Sequence, residues 1–297
     1  MSISYRIAEQ ACYMLNSLPF DGARGLLMGG FKEPKDEVIL PAFVRKSRLS
    51  IDKIVFDGFE IHRLRKRSHN KYSSRAVLFL PGGGGMERAT VLHYDMAMKI
   101  AKESGADVYI VHYPLAPKYN VRYALDWLEK LYMVLIKKYP VHNITFMGDS
   151  AGANLIISLA GRVHIKPGKL IVISPACGLE NGKNRNIRLA MEPFDPILNV
   201  EMNDIICDNW CRDVPLDSSD ISPEYVDYTN FPKMYLYYGE HELFYPHVIN
   251  YVDILKEQGV EIHKTVKPMC HDWAICRLFP EGRKAVKEMW NIIKKRW

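Results

Sequence analysis

Nothing in the 297-residue sequence supplies a disulfide or zinc framework. Its six cysteines (Cys12, Cys177, Cys207, Cys211, Cys270, Cys276) form no CxxC pair, and no histidine stands in finger spacing. Cys207 and Cys211 lie one helical turn apart, a spacing that suits packing better than a bridge. No stretch approaches the roughly 18 apolar residues of a membrane span. The start, Met1-Ser2-Ile3-Ser4-Tyr5-Arg6, has no apolar signal core. Gly and Pro are not in excess, and there is neither an internal repeat nor a low-complexity linker. These absences predict a reduced, soluble, cytoplasmic protein without a metal or organic cofactor.

What is present suits one large α/β domain with an appendage. At 48% hydrophobic and 25% charged, the composition can fill a sizeable core. The net charge of +6 is spread along the chain, and its densest cluster is His62-Arg63-Leu64-Arg65-Lys66-Arg67, followed by Lys71 and Arg75. That cluster runs from a strand-like stretch into a polar loop, so it reads as a solvated hairpin, with no nucleic-acid module around it.

From about residue 76 onward, short apolar runs alternate with amphipathic ones. Ala76 to Leu80, Val108 to Val111, Ile144 to Met147, Leu170 to Ile173 and Met234 to Tyr238 are continuously apolar. A parallel sheet covered on both faces requires that pattern. Leu125, Leu128, Leu131, Tyr132 and Leu135 keep helical spacing between strands, as do Val286, Met289, Trp290, Ile293 and Trp297 at the end. The alternation predicts a doubly wound sheet with right-handed crossovers. Residues 1–48 and 178–230 break it and are assigned to a cap, leaving 49–177 and 231–297 as the core.

The strongest local signal is Gly148-Asp149-Ser150-Ala151-Gly152, which follows a strand-like run and opens the helical stretch Ala153 to Arg162. Strand, sharp turn and helix are the context that turns GxSxG into a nucleophile elbow. Pro81-Gly82-Gly83-Gly84-Gly85 follows the run ending at Leu80 and can bring backbone N–H groups close to a developing anion. Met86-Glu87-Arg88 then replaces the Lys-Ser/Thr of a phosphate loop, and no dinucleotide fingerprint is completed. A base and an orienting carboxylate are sought at later strand ends. Gly239-Glu240-His241-Glu242-Leu243 offers two carboxylates, and His271 follows the run Ile262 to Val266. The acid is Glu242 or Glu240.

Over roughly residues 75–297 the chain resembles the hormone-sensitive-lipase-like esterases. Besides the GDSAG elbow, Tyr113-Pro114-Leu115-Ala116-Pro117 resembles that family's Y-R-L-A-P stretch. Asp195-Pro196-Ile197-Leu198 resembles D-P-x-L, Ile221-Ser222-Pro223 the returning S-P, and Met269-Cys270-His271 the M-x-H. The resemblance implies an α/β-hydrolase fold, mostly parallel with helices on both faces and a helical cap. It implies a serine carboxylesterase for small, short-acyl esters, with Ser150, His271 and Glu242 as the triad. Oxyanion donors would be the N–H groups of Gly83, Gly84 and Ala151. Three positions depart from the family: Pro81 replaces the His of HGGG, which predicts lost loop support; Lys118 replaces a Glu; and the acid is Glu rather than Asp. The rivals are a non-catalytic binder and a peptidase or acyltransferase with the same triad. Phe194 and Trp210 in the cap, and Phe244 and Tyr245 beside the acid, are candidates to line a pocket or to hold the cap down. A homo-oligomer is left open.

Overall fold

Apolar pentads become the middle of the sheet, because a strand buried on both faces can place no polar side chain without a partner. A computed structural model describes residues 1–16, 38, 40–67, 73–179 and 183–295. Within them lie β1 (Leu49–Phe56), β2 (Phe59–Lys66), β3 (Ala76–Leu80), β4 (Asp107–Val111), β5 (Ile144–Asp149), β6 (Lys169–Ile173), β7 (Met234–Gly239) and β8 (Ile262–Lys267). They form one sheet in the order β1-β2-β4-β3-β5-β6-β7-β8. The pairs β1·β2 and β2·β4 are antiparallel, and the remaining neighbours are parallel. Strands β3 to β7 are buried along their whole length, whereas the edge strands β1 and β8 are partly exposed.

Among the described residues the longer helices are α1 (Ile3–Asn16), α2 (Val91–Ser104), α3 (Val121–Leu135), α4 (Ala151–Arg162), α5 (Lys183–Met191), α6 (Val200–Trp210), α7 (Tyr245–Glu257) and α8 (Pro280–Lys294). Strand alternation divides the core into two layers. Ala76, Leu78 and Leu80 of β3 face α3, α4 and α7 through Leu125, Leu128, Leu155, Ile156 and Val248. Val77 and Phe79 face the other way, toward Ala97, Ile100, Val286, Met289 and Ile293 of α2 and α8. Each fully buried Leu, Ile or Phe stabilises the fold by about 1.5–3 kcal/mol relative to exposure. Both faces of the sheet are therefore covered by helix.

Between β6 and β7 the described residues hold α5, α6 and short 3-10 turns, without a strand. Leu198, Val200, Met202 and Trp210 from this stretch join the layer over α4. At the N-terminus, Tyr5 is buried in the opposite layer, and its hydroxyl accepts the Cys270 N–H at 2.7 Å. The Tyr13 hydroxyl donates to the Phe194 carbonyl at 2.7 Å. The Gly29-Gly30 and Pro34 region lies outside the described residues.

The basic cluster differs from its expected solvated state. It lies on β2, where Arg63 and Arg65 share Asp52 of β1 at 2.8 and 3.1 Å and His62 is buried against the Tyr94 hydroxyl at 2.6 Å. Cross-strand pairing with an acidic neighbour is what fixes it there. Residues 68–72, including Lys71, lie outside the described residues. All six cysteines are free thiols. Among the described residues no helix is long and apolar enough to cross a membrane. Nor is any group of three or more His, Cys, Asp or Glu among them placed to hold a metal ion.

Candidate active site

Strand β5 ends at Asp149 and α4 begins at Ala151, leaving Ser150 alone at the turn with φ +52° and ψ −121°. A non-glycine residue at positive φ is strained, and it persists only where its surroundings hold it. Here the Ser150 N–H donates to the Ile173 carbonyl at 2.9 Å, and its own carbonyl accepts the Asn154 N–H at 3.1 Å. A side chain at Gly148 would strike the Gly152 carbonyl, and one at Gly152 would strike the Leu80 carbonyl. The glycines of the elbow are thus dictated by backbone meeting backbone.

The glycine loop after β3 is tied to the elbow through Asp149. The Gly82 N–H donates to Asp149 Oδ2 at 3.0 Å, and His93 Nε2 meets the same oxygen at 2.9 Å. His93 Nδ1 accepts the Thr90 N–H at 2.8 Å, which leaves the ring hydrogen on Nε2, directed at Asp149. The Tyr113 hydroxyl donates to the Pro81 carbonyl at 2.7 Å. Loop support is therefore not lost with the histidine that Pro81 replaces; His93 supplies it through Asp149. Gly83 and Gly84 stand at φ +118° and +64°. Among the described residues no acceptor takes the N–H of Gly83, Gly84 or Ala151. Gly84 and Ala151 line the same cavity as Ser150, and Gly83 is not among its lining residues.

Glu242 and His271 complete the cluster. His271 Nε2 is 2.9 Å from Ser150 Oγ, and its Nδ1 is 3.3 Å from Glu242 Oε2. Glu242 is fully buried, whereas Glu240 is exposed. The second Glu242 oxygen accepts the Ser174 hydroxyl at 2.6 Å and the Gly239 N–H at 2.6 Å. Burial pushes the Glu242 pKa up, opposed by the hydrogen bond and charge of His271 and by Ser174. Asp195 braces this loop from the segment between β6 and β7. Its Oδ2 accepts the Leu243 N–H at 2.8 Å, and its Oδ1 accepts those of Ile197 and Leu198 at 2.9 and 3.1 Å.

The cavity beside Ser150 measures about 40 Å³. Leu198, Ile206, Trp210, Cys211 and Phe244 are among its walls, with Asn154 and Asn199 as polar points. Ile206 and Trp210 of α6 stand where side chains at Gly84 and Gly85 would project. Trp210 is buried against Tyr113, with ring centroids 6.0 Å apart. Phe244 also presents its ring to His271, at 6.1 Å and 65°. Phe194 is instead half exposed, and Tyr245 packs toward Tyr238. Neither lines the cavity.

Sequence reading missed His93, Ser174 and Asp195 as holders of the site. The Asp before Ser150 and the Asp-Pro of residues 195–196 were visible as motif letters, but their partners lie 48 to 67 residues away along the chain. Ser174 had no local signal beyond its place at the end of β6.

The chain belongs to the α/β-hydrolase fold family, whose sequence profile matches residues 77–275. It is 35% identical over 105 residues to the esterase LipU of Mycobacterium tuberculosis, covering 34% of this chain and 35% of LipU. It is 27% identical over 149 residues to mouse hormone-sensitive lipase, covering 47% of this chain and 19% of that protein. The chain thus spans about a third of LipU's length and less of the mouse lipase. A solved structure of a hormone-sensitive lipase from a metagenome library superposes with a TM-score of 0.81 at 18% identity, over 100% of both chains. The resemblance to hormone-sensitive-lipase-like esterases holds at the level of family and fold.

Proposed function

We propose that this protein is a serine carboxylesterase that hydrolyses small, short-acyl esters through an acyl-enzyme. The observation that carries the reading is the Ser150–His271 contact of 2.9 Å, with Glu242 on the far imidazole nitrogen. In this reading Ser150 Oγ attacks the ester carbonyl as its proton passes to His271 Nε2. Glu242 keeps the Nδ1 hydrogen in place and stabilises the imidazolium. The N–H groups of Gly83, Gly84 and Ala151 receive the negative charge on the carbonyl oxygen. His271 then protonates the departing alkoxide. A water, deprotonated by the same nitrogen, releases the acid and restores Ser150.

The short-acyl preference is supported by the cavity volume of about 40 Å³ and by the side chains of α6 that close it. We take residues 1–48 and 178–230 as the cap and 49–177 with 231–297 as the core. The free thiols support a reducing, cytoplasmic setting. Neither metal nor organic cofactor has a step to perform in this chemistry.

Hydrolysis of 4-nitrophenyl esters from acetate to palmitate tests the reading. Rates should fall beyond the shortest acyl groups, and Ser150→Ala should reduce kcat by at least about 10³-fold. Undiminished hydrolysis by that variant would overturn it, and faster cleavage of amides or transfer to alcohols would redirect it to a peptidase or an acyltransferase.

A further inference from the structure

Asp272 does not do the job its position suggests. It precedes the 3-10 turn Trp273–Ile275 as its N-cap residue, yet its side chain makes no capping hydrogen bond. Its backbone stands at φ +57°, a conformation that Asp and Asn tolerate better than other side chains. One carboxylate oxygen, Oδ1, is buried without a hydrogen-bond partner among the described residues. The other, Oδ2, lies 3.3 Å from His271 Nε2, the nitrogen that also faces Ser150 Oγ. The imidazole is thus flanked by a carboxylate on each nitrogen.

We propose that Asp272 is a second carboxylate partner of the reacting nitrogen of His271, competing with Ser150 for its proton and setting the pH range in which the imidazole acts as base. A neutral ring that donates from Nδ1 to Glu242 presents only a lone pair at Nε2. That lone pair can accept the Ser150 O–H, but it repels an ionised Asp272 oxygen 3.3 Å away. A ring carrying both hydrogens satisfies Glu242 and Asp272 together. The arrangement therefore favours the imidazolium and the tetrahedral intermediate that accompanies it. It disfavours the resting base.

The charged groups around the pair come from several elements. Glu242 lies after β7, Asp195 lies in the segment after β6, and Asp149, at the end of β5, faces Asp272. The neighbouring Cys270 thiol is held neutral by burial. Burial alone would lower the His271 pKa. The Asp272 charge, followed by the Glu242 hydrogen bond and charge and by Asp195, more than offsets this and raises it to about 10. Burial also pushes the Asp272 pKa up. Both shifts have the same sense: the pair keeps a proton to a more alkaline pH than a lone imidazole would.

The kinetic arm of the test rests on the esterase reading, and a second arm does not. The acid limb of kcat/KM for 4-nitrophenyl acetate should lie well above the ordinary imidazole pKa of about 6.5. Asp272→Asn, which keeps the left-handed turn, should move that limb down by more than about one pH unit. Rates below the limb, relative to the plateau, then rise at least about tenfold. Asp272→Gly relieves the turn altogether and should move it likewise. In parallel, the His271 ring is titrated by NMR in ¹³C-histidine protein, with its signal assigned by its absence from His271→Gln. Its midpoint should fall in both Asp272 variants. An unmoved midpoint with an unmoved limb overturns the inference. Absence of any Ser150-dependent hydrolysis overturns the esterase reading instead, while the titration still decides the pair.

Discussion

The two sides of the cluster around Ser150 are held in place by different forces. On one side, the elbow is fixed by backbone packed against backbone, with Gly148 and Gly152 each leaving no room for a Cβ. On the other side, side-chain hydrogen bonds fix Glu242 and His271: Ser174 donates to Glu242, Glu242 pairs with His271, and Asp195 accepts the N–H of the adjacent Leu243. Close packing tolerates no added atom. A hydrogen-bond network tolerates shape changes but not the loss of a partner. The contrast tells which kind of substitution should damage each side.

The largest effect is expected at the carboxylate. Glu242→Gln should lower kcat by about 10³–10⁴-fold, because an amide cannot hold the His271 tautomer and stabilise its cation as a carboxylate does. Far-ultraviolet circular dichroism should show the sheet unchanged. If activity survives, Glu242 is not the orienting group. On the packed side, Gly152→Ala should press a methyl into the Leu80 carbonyl and displace Ser150. Displacement of about 1 Å costs on the order of 10²-fold in rate, and overpacking costs about 1–3 kcal/mol in stability, read as a lower thermal midpoint. An alanine that left both unchanged would break the contrast. The smallest effect belongs to Ser174→Ala, which removes one of two hydrogen bonds to Glu242 Oε1. It should reduce kcat by about tenfold with KM nearly constant, corresponding to a charge-assisted bond of about 1.5–3 kcal/mol that is partly replaced. An unchanged kcat would mean that the Gly239 N–H holds the carboxylate unaided.

The same contrast explains what could be read from the chain. Runs such as Ala76 to Leu80 and Ile144 to Met147 announce buried parallel strands, and all five such runs lie in the sheet. Glycines forced by backbone crowding at the elbow and by positive φ in the loop after Leu80 are visible as motif letters, which is why both stood out. Glu242 was separable from Glu240 only by position, and burial of the one and exposure of the other separate them in space. The network was not legible. His93 reaches Asp149 across 56 residues, and Ser174 reaches Glu242 across 68, so neither leaves a local pattern. Asp272 was adjacent to His271 in plain view, but an Asp beginning a turn has an ordinary explanation until its side chain is seen to ignore the turn.

One contact links the two ends of the cleft mechanically. Ile206 and Trp210 both line the narrow cavity beside Ser150 and stand where side chains at Gly84 and Gly85 would project. An acyl group too bulky for that space must shove α6 aside, and with it go the side chains that buttress the glycine loop. Under the esterase reading, an oversized ester is then penalised at the moment charge develops on its carbonyl oxygen rather than at the doorway. On that reading, size is measured by how fast the bond breaks, not by how firmly the molecule is gripped.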